Sequence, residues 1–337
     1  MTDEWQHVRT KDVKPIDLSR VHVVTMISNV ARFRSRYDAY RRFAKHMHDS
    51  GAQLTTVEVA YGKREFEVTD KDNPRHVQLR TEHEELWLKE PAWNIGLRSL
   101  PQDWQYVIFL DADITFTNNL WLSETVHQLQ TYMVVQPFAH ALDMGPQHEV
   151  IQKHNGFAWS YHQNMFQAPQ GAGTGGYYGS EPGRPFWHPG YGIAFRRECF
   201  EGGGLEGLLT TGILGSGDHH MWLALIGEAH RSLPGKISDG YRKQVLSWQA
   251  DAERVVKRDI GYTPGTILHT FGGSKRKRFY VERWSILEEQ EFNPDTDLRT
   301  DWQGLPQLVV TNDRQRKLRD LCRAYFRARD EDNPNID

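Results

Sequence analysis

The chain has 337 residues, room for one large α/β domain or two ordinary ones. Charged residues make up 25% and hydrophobic ones 38%, a globular balance that excludes a disordered or membrane-embedded chain. A formal net charge of −3 excludes a global field drawing in nucleic acid, and the two cysteines, Cys199 and Cys322, exclude a disulfide framework and fit a reducing cytoplasm.

Met1 to Lys14 is polar with mixed charge, unlike a signal peptide, so residues 1–17 read as a tail. No apolar run approaches the ~20 residues of a membrane span. Val21 to Ile27 (VHVVTMI) is a β-branched apolar run and predicts a first strand, ended by Ser28 and Asn29. Tyr37, Tyr40, Ala44 and Met47 keep helical spacing up to a closing Gly51. Leu54 to Ala60 predicts a second strand, and Val77 to Leu79 a short one. Glu82 to Leu97 reads as helix through Leu86, Trp93 and Leu97, with Pro91 inside it.

Val107-Ile-Phe-Leu-Asp-Ala-Asp-Ile-Thr-Phe116 follows. Four apolar residues run into Asp111 and Asp113, which predicts a buried strand with two carboxylates at its carboxyl end. Two acids there repel each other and resist desolvation, and a divalent cation bridged to phosphate oxygens relieves both effects. The plainer reading is a strand followed by an Asx turn. Residues 21–116 thus alternate strand and helix, which predicts a mostly parallel α/β sheet. No GxGxxG follows the first strand, so a dinucleotide fold is not indicated.

Further on, Glu124 to Tyr132 predicts a helix and Met133 to Pro137 a strand. Residues 162–186 are crowded with glycine and predict a long loop, a candidate lid. His188 to Phe195 (HPGYGIAF) predicts a strand, and Gly215 to Leu225 a glycine turn opening a helix that carries Asp218. Ile267 to Gly273 is apolar up to His269 and precedes the basic run Lys275 to Arg278. Asp313 to Arg329 predicts a helix with Leu318, Leu321, Cys322 and Tyr325 on one face and arginines on the other.

Three of these features agree with one another. The acid pair and a histidine suit a hard cation holding a diphosphate, with basic residues close by. Asp218 suits a general base, although an acid there also suits a helix cap. His269 alone fits a structural histidine, and Lys275 to Arg278 a solvated charge run. Arg32, Arg34 and Arg36 follow the first strand and can meet phosphate or solvent.

On these residues the sequence resembles the metal-dependent nucleotide-sugar glycosyltransferases of the GT-A fold. Asp111-Ala112-Asp113 resembles the DxD motif, and Asn94-Ile-Gly96 the N-x-G segment before it. Gly190 to Phe195 followed by Gly215-Ser-Gly-Asp218 is similar to the acceptor-side strand and the acidic motif supplying the inverting base. His269 before Gly272 and Gly273 resembles the late metal-ligand histidine. The chain departs from the pattern at Gly217, where an acid usually precedes the base. Ile213 to Met221 (ILGSGDHHM), Ile260 to His269 (IGYTPGTILH) and Asp301 to Leu308 (DWQGLPQL) give a closer resemblance to glycosyltransferases of tailed phages and prophages.

The resemblance implies a single GT-A domain over residues 18–290, a mostly parallel mixed sheet flanked by helices, and a helical extension over 291–337. It implies an inverting transfer from a nucleotide sugar, foremost a UDP-sugar, with Asp218 as base and Mn2+ or Mg2+ on Asp111, Asp113 and His269. Donor contacts are implied at Thr25, Ser28, Arg32, Lys89, Asn94, Asp111, Ala112 and Lys275. His188, Tyr191, His219 and His220 are implied on the acceptor side. The phage likeness points to an acceptor hydroxyl on a 5-hydroxymethylpyrimidine of DNA, hydroxymethylcytosine for example, reached by base flipping in a host cytoplasm. A surface polysaccharide or other glycan is the alternative acceptor. Oligomeric state is open.

Two other classes compete. Asp111-Ala-Asp-Ile-Thr115 fits the DxDxT nucleophile of haloacid-dehalogenase-type phosphatases, but Trp222 stands where their late second acid is wanted. The arginine-rich last helix also fits a non-catalytic nucleic-acid binder, although acids interleave with its arginines.

Overall fold

The computed structural model describes residues 17–83, 85–165, 187–279 and 282–334. Most of the expected tail and residues 166–186 of the expected lid lie outside it, as do the side chains of Lys275 and Arg276.

In chain order come β1 (Val21–Ser28), α1 (Arg34–Asp49), β2 (Gln53–Tyr61), β3 (His76–Thr81), α2 (Lys89–Arg98) and β4 (Tyr106–Leu110). Then follow β5 (Ile114–Phe116), α3 (Trp121–Leu129), β6 (Val134–Gln136), β7 (His140–Met144), β8 (Val150–Gly156) and α4 (Phe157–His162). The third group is β9 (Trp187–His188), β10 (Gly192–Arg196), α5 (Gly217–Leu225), α6 (Asp239–Val255), β11 (Ile260–Tyr262) and β12 (Thr266–His269). The last is α7 (Glu282–Glu289), α8 (Pro294–Asp297), β13 (Leu298–Thr300), β14 (Pro306–Leu308) and α9 (Asp313–Arg327).

The fold is mixed α/β, with a mostly parallel central sheet flanked by helices. The sheet has seven strands in the order β11-β6-β10-β4-β1-β2-β3. Only β10 runs against its neighbours. Alternate residues of its strands feed two apolar clusters. Val24, Val107 and Phe109 face one side, Val23, Ile108 and Leu110 the other. Burial on both faces explains why β4 reads as a continuous apolar run and why β1, up to Ile27, is apolar apart from the buried His22 and Thr25.

One glycine and one proline show how α2 is set. Pro91 stands in the first turn of α2, where its missing N–H is no loss, and the helix starts at Lys89 rather than Glu82. A Cβ on Gly96 would lie 2.6 Å from Val24 Cγ1, so Gly96 allows α2 to lie directly on β1.

A second sheet, order β5-β12-β7-β8-β9, was not expected from the sequence. Its register matters for the site. In β12, His269 pairs with Ile114 of β5 on one side and with Asp143 of β7 on the other. The expected strand at His188 to Phe195 is two short ones, β9 in this second sheet and β10 in the first.

Helix α9 buries Leu318, Cys322 and Tyr325. Its arginines are largely engaged: Arg314 with the fully buried Asp297, Arg323 with buried Glu85 at 3.2 Å, and Arg319 with Asp320 at 2.8 Å. No helix among the described residues is long and apolar enough to cross a membrane.

Candidate active site

A cleft of about 240 Å3 opens at the carboxyl ends of β1 and β4. Open α/β sheets bind ligands in this position because loops diverge there and leave a crevice. Ser28, Lys89, Asp111, Ala112, Asp113, His188, Tyr191, Asp218, His219 and His269 all line it. Those ten residues, spread over the chain, therefore share one site.

At its floor the two aspartates point to different partners. Asp111 Oδ1 lies 3.2 Å from Lys89 Nζ, and Asp111 Oδ2 accepts the Tyr191 N–H at 3.2 Å. Lys89 also approaches Asp218 Oδ2 at 3.7 Å. One ammonium thus bridges two carboxylates from β4 and α5. Burial disfavours the charge on Lys89, but Asp111, Asp218 and Glu90 outweigh it and raise its pKa. Burial, with the charges of Asp113 and Asp218, pushes Asp111 up against the pull of Lys89.

Asp113 faces the other way. Its Oδ2 lies 3.4 Å from His269 Nε2. Its Oδ1 is buried with no hydrogen-bond partner. A buried carboxylate oxygen without a donor loses hydration and gains nothing in return, and a cation remedies that. Burial works against the charge of Asp113, yet His269, Arg278 and Arg36 hold its carboxyl below the usual range.

His269 is fixed from behind. Its Nδ1–H donates to Asp143 Oδ1 at 2.8 Å, and the same oxygen accepts the Tyr191 hydroxyl at 2.6 Å. His154 Nε2 donates to Asp143 Oδ2 at 2.8 Å. Burial alone would raise Asp143, but the bonds from His154 and His269 drive it well below the carboxylate range. This orients Nε2 of His269 toward Asp113, as carboxylates behind metal-binding imidazoles orient the ring by accepting its other N–H. Burial alone would lower His269, and Asp113 and Asp143 reverse this and raise it to about 10. The imidazolium so favoured occupies the electrostatic place of a cation, and a metal ion must displace its proton.

Among the described residues no group of three acid, histidine or cysteine side chains converges as a ready metal cage. Asp113 and His269 fit a metal that takes its other ligands from phosphate and water, as magnesium and manganese do. Asp111, held by Lys89 and Tyr191, fits a less direct part.

Asp218 enters from α5. That helix starts after Ser216, whose φ of 76° puts a non-glycine residue in the left-handed region. Tyr191 shares this strain at φ 73°. Such conformations cost roughly 1–3 kcal/mol and persist only where the surroundings enforce them. Asp218 stands in the first turn and is not the cap; its Oδ1 accepts the N–H of His219 at 2.8 Å. A Cβ on Gly190 would lie 3.0 Å from Asp218 Oδ2 and 2.8 Å from His188 Cε1, so glycine lets that loop pass close by.

Gly217 is explained by Glu90. A Cβ at 217 would sit 2.6 Å from Glu90 Oε1. Glycine at 217 thus leaves room for a carboxyl from α2 beside Asp218. Glu90 is 2% exposed, and its Oε1 has no hydrogen-bond partner. Burial, reinforced by Asp218 and Asp111 and opposed by Lys89, pushes Glu90 up to about 7.

Four expected site residues do not reach the cleft. Thr25 donates its hydroxyl to Leu110 O at 2.8 Å inside the sheet. Asn94 clamps Leu208, donating to its carbonyl at 2.9 Å and accepting its N–H at 2.7 Å. Arg32 is exposed beside Glu67. His220 is fully buried between Ser232 Oγ at 2.6 Å and Tyr241 OH at 2.9 Å. Adjacent residues on a helix diverge by about 100°, so His219 faces the cleft and His220 the core. Tyr191 is at the cleft, but its hydroxyl serves Asp143, and its ring stacks on His188 at 4.1 Å. The donor contact expected at Lys275 involves a side chain outside the described residues.

The sequence did not single out Asp143 or Glu331 as site residues, and both line the cleft; Arg278 and Arg329, weighed only as members of basic runs, line it as well. Arg36, weighed only as one of three arginines, lines it too.

No protein-family profile matches the sequence, and no curated protein matches it. Several solved structures show a likeness. The catalytic domain of Drosophila beta1,4galactosyltransferase 7, in complex with xylobiose, is 10% identical over 64% of this chain and 65% of that one, with a TM-score of 0.31. This chain thus spans slightly under two thirds of that domain's length. Mouse xyloside xylosyltransferase 1, in its apo form, is 11% identical over 74% of this chain and 97% of that one, TM-score 0.30. S. aureus TarS, with UDP-GlcNAc, is 12% identical over 40% and 37%, TM-score 0.24. No residue role follows from likenesses of this size.

Proposed function

We propose that the protein is a GT-A-type glycosyltransferase, moving a sugar from a nucleotide-sugar donor to an acceptor hydroxyl with inversion. One observation carries the reading. Asp113, with an unpartnered buried oxygen, faces His269 at one end of the cleft, and Asp218 stands across Lys89 from Asp111. That gives one pole for a cation with a diphosphate and another for a proton acceptor.

Asp113 and His269 would hold the metal, manganese or magnesium, whose chemistry is to neutralise charge developing on the leaving phosphate. The protein's own groups do the rest. Asp143 and Tyr191 keep His269 oriented. Lys89 holds Asp111 and Asp218 at a fixed separation while limiting their repulsion. Asp218 takes the acceptor proton as the acceptor oxygen bonds the sugar's anomeric carbon and that carbon's bond to the diphosphate oxygen breaks, releasing the nucleoside diphosphate.

The phosphatase reading is weakened by the same geometry. Asp111 is engaged by Lys89 and the Tyr191 N–H rather than poised as a nucleophile, and Trp222 is 1% exposed in the core. For the acceptor we carry the sequence resemblance, a hydroxymethylated pyrimidine of DNA, with a glycan as its rival. The acid partners of Arg314 and Arg323 weigh against α9 as a DNA-contacting face.

The test is turnover. Purified protein with Mn2+ and a panel of nucleotide sugars should release the nucleoside diphosphate, slowly with water and faster with the right acceptor. Hydroxymethylated DNA and oligosaccharides are offered in parallel, with products identified by mass spectrometry. No release from any sugar nucleotide, with Mn2+ or Mg2+, would sink the proposal.

A further inference from the structure

Beside the metal-side carboxylates the cleft holds a second charged cluster, built by both ends of the domain. Arg36, from the first turn of α1, reaches the Ser28 carbonyl at the end of β1 and pairs with Glu331. Arg329 lies with its Nε 3.1 Å from the same Glu331 carboxylate. Arg278 lines the cleft near them and adds its charge to both Glu331 and Asp113. Two guanidiniums therefore contact one carboxylate, and the charge of a third acts on it.

The match is incomplete. Arg329 Nε is buried yet makes no aligned hydrogen bond, despite its closeness to Glu331. Burial, with the like charges of Arg278 and Arg36, lowers the pKa of Arg329 even though Glu331 opposes this. A single carboxylate offers two oxygens to a cluster with many donors, whereas a diphosphate offers more oxygens and more charge.

The carboxylate arrives on a segment tied by polar contacts to the start of α1 and to the turn before residue 279. Asp332 accepts the N–H groups of Arg34 and Ser35 at 2.9 Å each, capping α1 from outside. Lys277 pairs with Asp330 at 2.7 Å.

We infer that Arg36, Arg278 and Arg329 form an anion site for the donor's phosphates, and that Glu331 is an internal competitor that must leave it. The inference rests on the nucleotide-sugar reading above. A ligand that binds only after Glu331 withdraws binds more weakly by the fraction of time the site is open. Closing the site with its own carboxylate also keeps three like charges compatible when no phosphate is there.

The experiment is calorimetric titration of the full chain with UDP and Mn2+. Glu331→Gln keeps the shape and removes the competing charge. Asp330→Asn makes the same charge change one residue away, on a side chain that faces Lys277. We expect Glu331→Gln to tighten UDP binding on the order of tenfold, and Asp330→Asn to change it less than about twofold. Melting curves confirm that both variants fold. Unchanged or weaker binding in Glu331→Gln, or an equal gain in both variants, overturns the inference and leaves the donor reading standing. No UDP binding by either the native chain or Glu331→Gln overturns both.

Discussion

His269 donates its Nδ1 proton to Asp143 at 2.8 Å, and the two residues are paired in register across β12 and β7. The orientation of the ring is therefore fixed by a residue 126 positions earlier in the chain. Removing the lock should leave the ring present and misdirected. Asp143→Asn is expected to weaken Mn2+ binding by about 10–100-fold, as losses of such outer partners typically do. Equilibrium metal titration checks it. A variant with native metal affinity would reduce Asp143 to a core residue.

Asp218→Asn preserves the hydrogen bond to the His219 N–H and removes the proposed base. Turnover should fall by roughly 10²–10⁴-fold while donor affinity changes little. The product's anomeric configuration, read by NMR, belongs to the same experiment. Retention of configuration would contradict a single displacement assisted by Asp218.

Lys89→Met leaves Asp111, Asp218 and Glu90 without their shared cation. Breaking a buried charge cluster in this way should destabilise the fold by about 3 kcal/mol, the low end for such losses, because both aspartates keep some contact with water. Chemical denaturation measures it. Saturating Mn2+ should recover part of the loss through its attraction to Asp111 and Asp113; no recovery would argue against a metal near them.

Glu90 gives a pH signature. Its folded pKa, about 7, lies above the ordinary 4.5, so the folded state holds this proton over a range where the unfolded chain releases it. The sign follows from proton counts: where the native state binds more protons, stability falls as pH rises. The contribution is therefore lost between about pH 4.5 and 7, and the ionised buried carboxylate burdens the fold above that. Glu90→Gln should gain in melting temperature relative to the native chain between pH 5 and pH 8. Parallel curves would show that Glu90 does not hold a proton across that range.

Much of this site could be read from the sequence where chemistry and hydrophobic pattern coincide. Asp111 and Asp113 end a continuous apolar strand, and a strand of that kind has only one place in such a sheet. Asp218 follows a glycine turn into a helix, and His269 closes a short apolar segment. Asp143 lies in a strand of five residues, β7 (HALDM), whose buried face holds only Ala141 and Asp143, so no apolar run marks it. Thr25, Asn94 and His220 were misplaced for a related reason. Spacing locates a residue along an element, but only packing decides which face it presents. The arginine cluster was hidden by separation, since Arg36 and Glu331 stand 295 residues apart.

The capping of α1 by Asp332 has a consequence for biosynthesis. A helix near the start of the chain receives its N-terminal hydrogen-bond acceptors from residues made nearly 300 positions later. Most of the sheet can form while translation continues, but this wall of the cleft cannot. A nascent chain halted before residue 329 would carry Arg36 without Glu331, and the first turn of α1 without Asp332. The arginine side of the cleft thus matures only once residues 329–332 have been made, well after the strands that position the aspartates.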